Sequence, residues 1–132
     1  MGELRLLLDT HIFLWWLFDD RRLSEMMREL IADPDHQVLI SAASVWEIVT
    51  KYRLGKLPDA ASVAKDVSPW IIKAGFSALP ITPEHAQLAG QWPQSHRDPF
   101  DRMLAAQAKI EMMTLVSVDR KLAEFPISIL KD

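Results

Sequence analysis

The chain has 132 residues, 49% hydrophobic and 25% charged, with a formal net charge of −3. This describes one folded unit over residues 1–132, long enough to bury a core without cross-links, and excludes a disordered chain. The lack of cysteine excludes disulfides, thiolate metal sites and cysteine nucleophiles, and the negative balance excludes a protein that coats phosphates by bulk charge alone.

In chain order, LRLLLD (4–9) is an apolar run closed by an acid and reads as a buried strand. THIFLWWLFDD comes next, as a helix or helical turn. Its apolar core, IFLWWLF at 12–18, is too short to span a membrane and follows no basic region. Neither signal peptide nor membrane span is expected, and the protein is placed in the cytoplasm with no membrane partner. Trp15, Trp16 and Phe18 carry more apolar surface than one helix face buries easily; they read either as core or as a groove for a partner helix or second subunit. Apolar residues at 23, 26, 27, 30 and 31 have helical spacing, and Asp33-Pro34-Asp35 ends that helix. QVLIS (37–41) is a second strand. Residues 44–57 form a helix with Val45, Ile48, Val49 and Tyr52 on one face and Gly55 near its end, and 60–74 is helical again. ALPIT (78–82) is a third strand, and Thr82-Pro83-Glu84 is a strong helix start. FDRMLAAQAKIEM (100–112) is a helix, TLVSVD (114–119) a fourth strand and ISIL (127–130) a fifth.

Short apolar strands alternating with helices make this an α/β protein whose mainly parallel sheet is covered on both faces by right-handed crossovers. Ligands of such sheets bind beyond the carboxyl ends of the strands. Acids stand at those addresses: Asp9 after the first strand, Glu47 in the helix after the second, Asp98 and Asp101 at a helix start, Asp119 after the fourth strand. Each has a purely structural reading. Ser44-Val-Trp-Glu47 fits a capping box, Glu47 can pair with Lys51 one turn on, Asp98 can cap the helix that Pro99 opens, and Asp9 and Asp119 can each cap the segment after its strand. Gathering all of them costs repulsion and desolvation that caps do not require. Hard divalent cations give that cost a reason, because Mg²⁺ and Mn²⁺ prefer carboxylate oxygens and suit phosphodiester hydrolysis.

LLLDTH, SVWEI, DPFDRMLAAQA and LVSVDR, in this order, resemble the PIN-domain ribonucleases, and within them the VapC toxins of toxin–antitoxin pairs. The resemblance covers essentially the whole chain. It implies a three-layer α/β/α sandwich and an Mg²⁺- or Mn²⁺-dependent endoribonuclease that hydrolyses RNA with a metal-activated water, leaving 5′-phosphate and 3′-hydroxyl ends. It also implies an antitoxin protein as inhibitor and a homodimer. The family's acids fall on Asp9, Glu47, Asp101 and Asp119. Asp98 is then chiefly the helix cap, with support of a metal-held water as its other reading. Thr10 is read as a helix cap, with a contact to the site as the alternative. Lys51, Arg53 and Lys56 around one turn, and Arg97, Arg102, Arg120 and Lys121 beside the acids, are candidate phosphate contacts. His11, His36, His85 and His96 form no motif; His11, near the site, is read first as a helix or packing residue, with a substrate contact as the alternative. Two other functions fit the same residues: a metal-dependent DNA or 5′-nuclease, and a non-catalytic RNA- or antitoxin-binding module. A response-regulator receiver is excluded, because its paired acids after the first strand and its aspartate after the third are missing.

Overall fold

A computed structural model describes residues 3–131. Five short strands, β1 (Arg5–Leu8), β2 (Gln37–Ser41), β3 (Ser77–Leu79), β4 (Thr114–Val116) and β5 (Ser128–Leu130), form one sheet in the order β3-β2-β1-β4-β5. Every neighbouring pair is parallel, with Leu7 of β1 opposite Leu39 on one side and Leu115 on the other.

The run Leu6-Leu7-Leu8 is fully buried because helices cover both faces of the sheet. Successive side chains still alternate. Leu6, Leu8, Val38, Ile40 and Val116 enter one cluster with Ile12 and Phe13 of α1 (Thr10–Leu17) and Met27 and Ile31 of α2 (Glu25–Ala32). The same cluster takes in Ile48 of α3 (Ala42–Arg53), Val63 of α4 (Ala61–Lys65) and Ile71 of α5 (Ser68–Lys73). Leu7, Leu39, Leu79 and Leu115 enter the other cluster, with Leu104, Ala105 and Ala108 of α7 (Pro99–Ile110). α6 (Pro83–Gln91) packs on α7. The result is the expected three-layer α/β/α sandwich.

Several boundaries differ from the sequence reading. The helix expected over 60–74 is two pieces, because Asp66 is extended and Pro69 has no N–H to continue the ladder. α3 starts at Ala42, capped by Ser41, so the expected Ser44–Glu47 capping box is absent. Its buried face is Ala43, Ser44, Glu47 and Ile48, whereas Val49 and Tyr52 are exposed. Two helices end as their glycines allow: Gly55 and Gly75 both take positive φ, and the next residue's N–H reaches back to Lys51 and Ile71 respectively.

One arginine has a different role from the one its sequence position suggests. Arg102, expected to contact phosphate, spends its guanidinium on four main-chain carbonyls. Nε donates to Ala89 (2.7 Å), Nη1 to Gln94 and His96 (both 2.8 Å), and Nη2 to Trp92 (2.6 Å). Residues 92–98 have no regular structure of their own, and this planar five-donor group binds them to α7.

Leu7 lies on the middle strand and is fully buried. Leu7→Ala is therefore expected to cost about 3 kcal/mol through lost transfer energy and an unfilled cavity. Urea unfolding reads this directly; a loss under about 1 kcal/mol would contradict a close-packed sheet centre.

Candidate active site at the carboxyl edge of the sheet

From β1 the chain winds outward through β2 and β3, while β4 and β5 extend the sheet on the other side. The winding therefore reverses between β1 and β4, and in parallel sheets the loops part at such a point and leave a crevice. Asp9 directly follows β1, and Ser117 and Asp119 follow β4. α3 brings Glu47, and the start of α7 brings Asp98 and Asp101. All five acids line one cleft of about 350 Å³, together with Lys51, His11 and Trp15. A neighbouring hollow of about 510 Å³ shares Asp98, Asp101 and Asp119 and adds His96, Arg97 and Lys121.

Each carboxylate is oriented by a protein donor. Asp9 caps α1: its Oδ1 accepts from the Thr10 N–H at 2.7 Å, and its Oδ2 accepts from the Ser117 hydroxyl at 2.7 Å. Ser117 is fully buried, and its Oγ accepts from the Asp119 N–H at 3.0 Å, so two of the acids are joined through one hydroxyl. Asp119 in turn caps the 3₁₀ turn Arg120–Glu124 through the Lys121 N–H. Glu47 is buried and pairs with Lys51 one helical turn on, as its spacing predicts. Its Oε1 lies 2.6 Å from the Thr10 hydroxyl, which is 2.8 Å from Ser44 Oγ. A hydroxyl carries one proton, so Thr10 donates to the carboxylate and accepts from Ser44. The cap expected of Thr10 is thus made by Asp9, and Thr10 supports Glu47 instead.

Asp98 caps α7, its Oδ1 accepting from the N–H groups of Phe100 (2.9 Å) and Asp101 (3.3 Å). Asp101 Oδ2 lies 2.9 Å from Nε2 of His96. Burial pushes the Asp101 carboxyl up to about 7, with the nearby Asp9 charge adding to the rise. Burial likewise raises Asp9, against the lowering effect of Ser117. Burial alone would lower Lys51, but Glu47 outweighs it and holds the ammonium above its ordinary value.

The other expected residues are spread more widely. Arg53, Arg97 and Arg120 are exposed, and of these only Arg97 lines either hollow. His11 is exposed in the cleft beside Trp15 rather than packed inside. Trp15 and Trp16 are both half-buried against the core, Trp16 packing on Phe76 at 5.9 Å, whereas Phe18 is exposed. Sequence reasoning does not find Ser44, Ser117 or His96 as site residues. Ser117 leaves one signal, a lone hydroxyl among the apolar residues before Asp119; His96 leaves none beyond its nearness to Asp101 in the chain.

These acids are hard oxygen donors of the kind that divalent cations take, and the raised Asp9 and Asp101 carboxyls are those that a cation would relieve. Among the described residues no three His, Asp or Glu side chains converge as a closed cage; Glu47 faces Lys51, Asp9 faces Ser117 and Asp101 faces His96. A carboxylate has lone pairs beyond those that these partners use, so the donor set fits a divalent cation while the partners keep the acids oriented.

The raised Asp101 also fixes the sign of a pH dependence. With its pKa moved from 3.8 to about 7, the folded state keeps a proton that the unfolded chain releases in that interval. Metal-free stability therefore falls as pH rises through the window and is lowest above it. In EDTA at pH 8, Asp101→Asn is expected to raise the melting temperature by about 4 °C, equivalent to about 1 kcal/mol. The difference should shrink as pH falls through the window and vanish below about pH 3, where Asp101 is neutral in the folded and the unfolded state alike. A variant that melts lower than wild type at pH 8 would show that the charge carries no penalty.

Comparison with known proteins agrees with this geometry. The PIN domain family matches residues 6–127. Ribonuclease VapC16 of Mycobacterium tuberculosis (strain ATCC 25618 / H37Rv) is 40% identical over 62 residues, which is 47% of this chain and 43% of that protein. The match thus spans less than half of the relative's length. Two solved structures share the fold over nearly the whole chain. A chain of VapBC2 from Rickettsia felis, bound to a promoter DNA fragment, has a TM-score of 0.71 at 16% identity, covering 97% of this chain and 98% of that one. A chain of DNA-bound VapBC from Salmonella typhimurium has a TM-score of 0.70 at 20% identity, with the same coverage. The switch-point crevice, its acids and a family match spanning nearly every element lead to one conclusion: the chain belongs to the PIN domain family.

Proposed function

We propose that this protein is a metal-dependent endoribonuclease and the toxin of a VapBC-type toxin–antitoxin pair. The observation that carries the reading is the convergence of Asp9, Glu47, Asp101 and Asp119, from four separate parts of the chain, in one cleft at the switch point of the sheet. Membership of the PIN family and the likeness to a relative named as a ribonuclease support it.

In this reading the four acids hold Mg²⁺ or Mn²⁺, which when bound lowers the pKa of water and offsets charge on the phosphoryl oxygens. The chain does the rest. Ser117 and the Thr10 N–H orient Asp9, the Thr10 hydroxyl orients Glu47, and Asp98 sets the first turn of α7 from which Asp101 projects. Lys51, within the cleft, and Arg97, beside it, are placed to meet RNA phosphates; Arg53 and Arg120 are further contacts for a longer strand.

An antitoxin protein is the proposed regulator, supported by structural neighbours that are themselves VapBC complexes. Trp15, half-buried at the cleft, and Phe18, exposed, are offered as its contacts, and a homodimer as the working form. Among the described residues no helix is long and apolar enough to cross a membrane, and the proposed place of action is the cytoplasm.

Purified protein incubated with total cellular RNA and Mg²⁺ or Mn²⁺ is expected to yield discrete fragments, and EDTA to abolish them. Asp9→Asn should lower the rate by about 100-fold or more. Parallel single-stranded DNA distinguishes the nuclease classes. RNA left intact by wild-type protein that is folded and free of antitoxin would refute the reading.

A further inference from the structure

We propose that His96 is a positioning residue for Asp101, delivered to it by a strap, residues 92–98, that Arg102 clamps to the first turn of α7. The inference rests on the proposed role of Asp101 as a metal-holding acid.

The imidazole is almost fully enclosed, with 6% of its side chain exposed. Nε2 lies 2.9 Å from Asp101 Oδ2, and Nδ1 lies 3.7 Å from Glu124 Oε2. The ring stands edge-on to Phe125 at 5.7 Å. Its own carbonyl accepts from Arg102 Nη1 at 2.8 Å. The contacts close a loop: Asp101 to the His96 ring, the His96 carbonyl to Arg102, and Arg102 back to Asp101 as its neighbour in the chain. The strap is secured at its far end too, where Asp98 caps α7.

Asp101 needs such a partner more than the other acids do. Asp9 is held by its own helix start and Ser117, and Glu47 by Lys51 and Thr10. Asp101 meets the charges of Asp9, Asp98 and Glu47, and like-charge repulsion turns a free carboxylate away. His96 lines only the neighbouring hollow, so it approaches Asp101 from outside the acid cleft. One oxygen fixed from that side sets the plane of the carboxylate. Hydrogen bonds of this kind to metal-ligating carboxylates typically contribute about 10–100-fold to metal affinity or activity.

Two variants separate positioning from packing. His96→Gln keeps an N–H donor on a flexible chain; His96→Phe keeps the ring that packs on Phe125 and loses the donor. Each is assayed on a single-stranded RNA oligonucleotide carrying a site cut by wild type, and separately for the rise in melting temperature on titration with Mn²⁺ alone. The Phe variant is expected to lose about tenfold or more in kcat, with KM within about twofold, and to need about tenfold more Mn²⁺ for its thermal shift. The Gln variant should recover to within about threefold of wild type in both. Arg102→Lys, which keeps the imidazole and loosens the strap, should lower kcat severalfold at constant KM, and serves if the Phe variant does not fold.

A Phe variant equal to wild type, or one that outperforms Gln, overturns the inference, as does an unchanged kcat for Arg102→Lys when the Phe variant does not fold. Asp101→Asn runs as control. If it is inactive while the His96 variants are not impaired, only the role of His96 fails. If wild-type protein neither cuts RNA nor responds to Mn²⁺, the nuclease reading fails and takes this inference with it.

Discussion

Buried carboxylates of like charge, brought to one edge of a parallel sheet, set the terms for this structure. Asp9, Glu47 and Asp101 are all buried and face the same cleft. Removing a carboxylate from water costs several kcal/mol even after relaxation. A hydrogen bond to a charged group returns about 1.5–3 kcal/mol, and a helix start about 0.3–1 kcal/mol. Glu47 meets the cost with a full opposite charge, Lys51. Asp9 has a hydroxyl and one main-chain N–H, Asp101 has an imidazole, and these leave both carboxyls raised. Local donors are thus enough to orient the acids but not to neutralise them, and the proposed cation supplies the missing charge.

The same constraint dissolves a choice that the sequence poses. Capping and site-building look like rivals when Asp9, Asp98 and Asp119 are read one at a time. In the structure all three cap and all three line the cleft. The reason is geometric. In a parallel sheet the carboxyl ends of the strands and the starts of the next helices lie on one edge, so a residue placed to cap is already placed to meet a ligand. At Asp9 the two oxygens divide the work, Oδ1 to the helix and Oδ2 to Ser117.

Legible and hidden features of the sequence also divide on physical lines. The layer order and the addresses of Asp9, Glu47 and Asp119 follow from periodicity and strand ends, which are local signals, whereas the choice of Asp101 over Asp98 comes with the resemblance to the PIN-domain ribonucleases. The Glu47–Lys51 pair is legible for the same reason, being one helical turn. Thr10 against Glu47 and Ser117 against Asp9 join residues 37 and 108 positions apart, and no local pattern predicts such contacts. Helix boundaries mislead where two polar residues compete to start the same helix: Ser44 looks like a cap, but Ser41 performs that role and Ser44 lies inside, bonded to Thr10.

Arg102 marks a harder limit. A basic residue beside an acid motif reads as a phosphate contact, because charge is visible in a sequence and unmet carbonyls are not. Residues 92–98 lie between α6 and α7 without a helical or sheet ladder, so their carbonyls need donors from elsewhere. The guanidinium donates to three of them, at Trp92, Gln94 and His96, and to Ala89 of α6 as well. Asp101 therefore stands where the most regular part of the fold, α7 against the sheet, meets its least regular part. Its backbone is placed by the helix, and its carboxylate is placed through a strap whose order depends on the next residue along.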